Sequence, residues 1–99
     1  MNLTQNEMAI LKASRNNEFG DAFDGETPWV FAVIAVSGLS PEIARGTISS
    51  LVQKGIVIVE DYEGKGNPDD MIFIVNSDFL QSFDALRSHF NHTNNSLLP

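Results

Sequence analysis

Residues 40–62, SPEIARGTISSLVQKGIVIVEDY, commit the chain to a helix and then take it out of the helix within one turn. Ser40 is a strong N-cap, because its hydroxyl can accept a bond from a first-turn amide. Pro41 suits the first helical position, where no amide hydrogen is needed. Ala44, Thr47, Ile48, Leu51 and Val52 recur at helical spacing, so one side of the segment is apolar. Gly55 supplies a left-handed stop, and Lys54 lies against the negative end of the helix. The spacing predicts a helix from Pro41 to Lys54. The run IVIVEDY begins directly behind the stop, and MIFIV at 71–75 follows the loop GKGNPDD at 64–70. Two β-rich runs around a Gly/Asn/Pro/Asp loop predict a hairpin.

The rest of the chain reads as helices around this unit. Thr4-Gln5-Asn6-Glu7 is a capping box, and Leu3 and Met8 have the spacing of a hydrophobic staple. A helix follows through Ile10 and Leu11, fading near Phe19 with Gly20 as its stop. Residues 20–26 (GDAFDGE) form a loop. Asp21, Asp24 and Glu26 lack the D-x-D-x-D-G order of a calcium loop, so they read as a solvated acidic loop. Thr27-Pro28 repeats the cap-then-proline signal, which predicts a helix over 28–36. The run WVFAVIAV at 29–36 is apolar on every side. Such a helix needs cover all round, which points to a second chain or a folded-back C-terminal helix. Asn76-Ser77-Asp78 caps a last helix over 79–90, with Phe79, Leu80, Phe83, Leu86 and Phe90 as its apolar stripe. The predicted fold is mainly α with a β-hairpin: helix, helix, turn, helix, hairpin, helix. A single domain over 1–91 and a frayed polar tail over 92–99 complete it.

Composition limits the functions open to such a fold. With no cysteine, the chain has no disulfide, thiol chemistry or cysteine-based zinc site. No signal peptide is visible. The longest apolar run has eight residues, well short of the roughly 20 needed to span a bilayer, so a cytoplasmic protein is expected. No nucleophile elbow, phosphate loop or HExxH sequence is present, and His89 and His92 are too isolated a pair to hold a metal. No enzyme activity and no cofactor are expected. Thirteen acidic side chains against six basic ones give a net charge of -7. General attraction to nucleic acid is therefore absent, and any DNA binding must rest on a few cations among Lys12, Arg15, Arg45, Lys54, Lys65 and Arg87.

The segment GLSPEIARGTISSLVQKGIVIVEDYEGKG at 38–66 resembles the winged helix-turn-helix superfamily, most nearly its MarR-like transcriptional regulators. The likeness covers about residues 4–75, and its specific core is 38–57. It implies that the helix from Pro41 is a recognition helix, that the hairpin is a wing, and that the chain is a small transcriptional regulator. In this fold the second helix of the motif enters the major groove. The implied contacts to double-stranded DNA are Ser40, Glu42, Arg45, Gly46, Thr47, Ser49, Ser50, Gln53 and Lys54, with Lys65 at the wing tip. A homodimer through helix 28–36 and the C-terminal helix would present two such helices. Two features depart from the family pattern. Glu60, Asp61, Glu63, Asp69 and Asp70 make the wing acidic, and helix 28–36 carries no charge. They support the alternative of an acidic winged-helix module for a basic protein partner, or a DNA mimic that binds no DNA.

Overall fold

A computed structural model describes residues 2–81 of the 99. Four helices, α1 (Gln5–Ala13), α2 (Val30–Ser37), α3 (Pro41–Gln53) and α4 (Ser77–Gln81), combine with the strands β1 (Val57–Asp61) and β2 (Met71–Val75). The fold is mixed, with a two-stranded antiparallel hairpin placed between α3 and α4. The pairing runs from Val57 opposite Val75 to Asp61 opposite Met71. The predicted element order holds over the described residues. The 82–90 part of the last helix and the tail over 92–99 lie outside them.

The local signals act where the residues place them. Thr4 accepts from the Glu7 amide while the Glu7 carboxylate accepts from the Thr4 amide, so the capping box closes. The Ser40 hydroxyl accepts from the Ile43 amide. Gly55, at φ 74°, ends α3 in a left-handed turn in which its amide donates to Val52 and that of Ile56 donates to Leu51.

Two boundaries differ from expectation. α1 stops at Ala13, because Ser14 caps it, bonding the Leu11 carbonyl at 2.6 Å, and Asn16 turns left-handed at φ 52°. Phe19 lies in the tight loop that Asn17 and Gly20 close with two mutual backbone bonds. α2 begins at Val30 with Trp29 as its cap, and Pro28 is extended chain ahead of it. The reason is a partner far along the sequence. The Pro28 carbonyl accepts from the Phe73 amide at 2.8 Å, and Trp29 forms a β-bridge with Ile72. Residues 28–29 thus lie against β2 through one backbone bond and a single bridge, which keeps Pro28 out of the helix.

The core is one cluster of residues from every element. Ile10 and Leu11 of α1, Val33 of α2, Ala44 and Leu51 of α3, and Phe73 of β2 are all fully buried. α2 turns Val30, Ala32, Val33 and Ile34 inward, whereas Phe31 and Val36 stay exposed. The Phe31 ring meets Phe19 edge-on at 5.5 Å, so the outer side of α2 carries an aromatic pair.

Candidate nucleic-acid interface

Two neighbouring sides of α3 carry its polar groups, and they have different fates. On the α1 side, Glu7 is buried at 1% exposure, the one carboxylate packed into this part of the core. Its Oε2 accepts from the Ser50 hydroxyl at 2.7 Å. Its Oε1 accepts from the Lys54 ammonium at 2.7 Å and from the Thr4 amide at 2.8 Å. Burial alone would raise the Glu7 carboxyl pKa. The Lys54 bond, the Thr4 and Ser50 bonds and the Lys54 charge outweigh it and bring the value from 4.5 down to about 2. Lys54 also donates to the Asn2 carbonyl at 3.1 Å. The start of α1 and the end of α3 are thereby pinned together.

Three of the implied DNA contacts have partners inside the fold: Thr47 is buried, Ser50 is half-buried, and Lys54 stays exposed at 39% of its side chain. Thr47 is buried and its hydroxyl donates to the Ile43 carbonyl at 2.7 Å. Ser50 and Lys54 serve Glu7. Their side chains answer a buried charge, so spending them on phosphate would strand that carboxylate.

The other side of α3 faces the hairpin. Arg45, Ser49 and Gln53, one turn apart in succession, line a groove of about 370 Å³ between α3 and the hairpin. Its apolar walls are Val30, Ile48 and Val52 on the helical side and Val59, Pro68 and Met71 on the hairpin side, with Gly66 at the loop. Arg45 is the only charged residue among them. Glu42 and Gly46 are exposed on the same helix, and Ser40 is exposed at its cap. A Cβ placed on Gly46 would meet nothing within 4 Å, so no packing demand holds the glycine there.

The hairpin keeps its acids out of this groove. Val59 turns toward the groove, and strand alternation then sends Ile58 and Glu60 to the far face, where both are exposed. Asp61 shares the inner face, but its two oxygens accept from the Gly64 and Gly66 amides at 2.9 and 2.7 Å. It shapes the loop tip. Asp70 accepts from the Asn67 side chain, and Asn67 caps the short helical turn Pro68–Asp70. Lys65 at the tip lies 3.8 Å from Glu63, both well exposed. No acidic side chain of the hairpin is thus among the residues lining the groove.

The remaining cations have partners of their own or lie elsewhere. Arg15 stands 3.9 Å from Asp21 and 4.9 Å over the Phe23 ring, which ties the 20–26 loop to α1. Asp21 caps the turn Ala22–Asp24 and Glu26 accepts from the Asp21 amide. Asp21 is buried within the loop, while Asp24 and Glu26 are exposed to solvent, as expected of an acidic loop. Lys12 is exposed on α1, and Arg87 with His89 and His92 falls outside the described residues. Among the described residues, no group of three or more acids or histidines is placed to hold a metal ion, and no helix is long and apolar enough to cross a membrane.

Sequence reasoning missed the groove and the second role of Glu7. The capping-box spacing marks Glu7, but its bonds to Ser50 and Lys54 span 43 and 47 residues and leave no local trace. Compared with protein-family models, curated proteins and solved structures, the chain matches none.

Proposed function

We propose that this chain is a winged helix-turn-helix DNA-binding regulator that reads duplex DNA with the outer side of α3. One observation carries the reading. In a chain of net charge -7, the sole charged residue among the described ones lining the gap between α3 and the hairpin is a cation, Arg45. Arg45 with Ser49 and Gln53 forms a set suited to base edges: arginine to guanine, glutamine to adenine, serine to either. Glu42, Gly46 and the Ser40 cap complete the exposed contact face. The buried Glu7 network holds α3 in place from behind, so the reading face is presented by a rigid element. With so few cations available, affinity falls only shallowly with salt.

The test is selection from a randomised duplex pool at low salt. An enriched sequence is expected, with binding weakened at least tenfold by Arg45→Ala, the loss of a good base contact, and hardly by Lys12→Ala. A pool that yields no enriched sequence refutes the reading. The regulator acts as a dimer joined through the outer side of α2, where Phe31, Val36 and the Phe19 ring are exposed. Light scattering that finds only monomer at micromolar concentration rejects the dimer.

A second reading is favoured by the far face of the hairpin. Ile58 and Tyr62 are 45% and 66% exposed there beside Glu60 and Glu63, a mixed apolar and acidic surface suited to a basic protein partner. It predicts a captured basic protein whose binding weakens on Glu60→Gln and Glu63→Gln. Capture unaffected by both substitutions rejects that surface.

A further inference from the structure

We propose that the free edge of β1 pairs with an extended basic segment of a partner protein, which adds a strand to the hairpin. The inference rests on the second reading above, in which the far face of the hairpin meets a basic protein, and it names the backbone as what holds that partner. β2 has neighbours on both sides, β1 on one and residues 28–29 on the other, whereas β1 has only β2. The Tyr62 amide donates to Asp70 and the Asn76 amide to Ile56, so the even-numbered residues of β1 bond toward β2. Alternation turns the amides and carbonyls of Val57, Val59 and Asp61 to the outer edge. Val57 is buried, and the Asp61 carbonyl accepts from the Gly64 amide. The Val59 amide and carbonyl and the Asp61 amide are left at the edge, with no bond to any other described residue.

The side chains choose the occupant. Exposed apolar groups on an edge strand invite pairing with another chain, and Ile58 and Tyr62 are both exposed on the far face with Glu60 between them. Glu60 makes no ion pair among the described residues. A second copy fits this edge badly, because two β1 strands side by side bring Glu60 and Asp61 of both chains together in a protein of net charge -7. A basic strand meets the same edge with attraction. In an antiparallel pair centred on Val59, the partner's residue opposite Glu60 is a lysine and the one opposite Ile58 is β-branched. An arginine opposite Tyr62 can stack on the exposed ring. Read from its N-terminus, such a segment is Arg-Thr-Lys-Val-Ile, with its valine opposite Val59.

The experiment titrates the full chain with the capped peptide Gly-Arg-Thr-Lys-Val-Ile-Gly and follows backbone amide shifts and amide hydrogen exchange. Saturable shifts at Val59 and Asp61 are expected, with slower exchange of both amides. N-methylation of the peptide's valine removes its donor to the Val59 carbonyl and should weaken binding about tenfold. Glu60→Gln should weaken it about threefold, the worth of one cross-strand ion pair, and Glu60→Lys should prefer a peptide with glutamate in place of its lysine. Full binding of the N-methylated peptide, with a loss on Glu60→Gln, rejects the edge and keeps the far-face reading. Binding that N-methylation abolishes but neither Glu60 variant alters overturns the basic occupant. Slow exchange of both amides that appears without peptide as the protein concentration rises also overturns it, since a second copy would then be the occupant. So does the absence of saturable shifts at millimolar peptide, which leaves the far-face reading to its own capture test.

Discussion

Arg45 lies in α3 and Lys54, nine residues on, caps its end, and the fold uses them in opposite ways. Lys54 leans toward α1 and gives its charge to the buried Glu7 carboxylate at 2.7 Å. Arg45 lines the groove on the hairpin side and has no ion pair among the described residues. A buried charge must be answered from within, so the Glu7 side of α3 has a structural task, which Ser50 and Lys54 serve. The hairpin side has no such debt. Charged side chains of one helix can therefore be sorted by whether a buried group already claims them.

Stability should separate the two sides most sharply. Glu7→Ala strands Ser50 and Lys54 and opens the capping box. It should cost about 3 kcal/mol, the lower end for breaking a buried pair, because Lys54 is 39% exposed and can regain water. Arg45→Ala should stay within about 0.5 kcal/mol, as for a surface change with no partner. Urea denaturation at neutral pH measures both, and equal losses would dissolve the distinction.

The same contrast appears in the response to acid. The Glu7 carboxyl titrates near 4.5 when unfolded and about 2 when folded. A depressed folded value contributes stability that is fully present above about pH 4.5 and is lost as pH falls toward 2. The difference is worth on the order of 3 kcal/mol at about 1.4 kcal/mol per unit. Urea midpoints at pH 6, 4 and 3 should decline in the wild type. Glu7→Gln, already weakened at pH 6, should decline less, and an identical decline in both proteins would show that other carboxyls set the acid limit.

Smaller effects resolve the network further. Ser50→Ala removes one bond to a charged acceptor and should cost about 1.5 kcal/mol, since the carboxylate keeps Lys54 and Thr4. Ser49→Ala, one residue earlier on the hairpin side, should change stability by less than about 0.5 kcal/mol. A loss at Ser49 as large as that at Ser50 would place Ser49 in a structural role.

Much of the fold was legible because its signals are local. The capping box at Thr4, the Ser40 cap, the Gly55 stop and the paired β-rich runs each act within a few residues, and each formed as read. Thr27-Pro28 carries the same kind of signal and misled, because the Phe73 amide takes the Pro28 carbonyl. A local cap signal yields to a strand partner 45 residues away. The site divides in the same manner. Helical spacing gave Arg45, Ser49 and Gln53 one outer side. It could not show that Ser50 and Lys54 turn to Glu7, since that depends on how α1 crosses α3. The acidic loop around Lys65 looked hostile to any anion, yet alternation and the Asp61 bonds to Gly64 and Gly66 leave no acidic side chain among the described residues that line the groove.

Gly46 allows the finest test of whether the hairpin side of α3 is kept for contact. It lies inside the helix with open space where a Cβ would stand. Alanine there should raise stability by about 0.8–1.0 kcal/mol, the difference in helix propensity, with nothing displaced. A glycine retained at that loss makes sense where another surface approaches the helix backbone closely. Gly46→Ala should then be more stable to urea and bind the selected duplex more weakly, two changes of opposite sign from one methyl group. If stability rises and binding is unchanged, Gly46 is only a tolerated weakness of the helix, and the contact face is confined to Arg45 and the residues behind it.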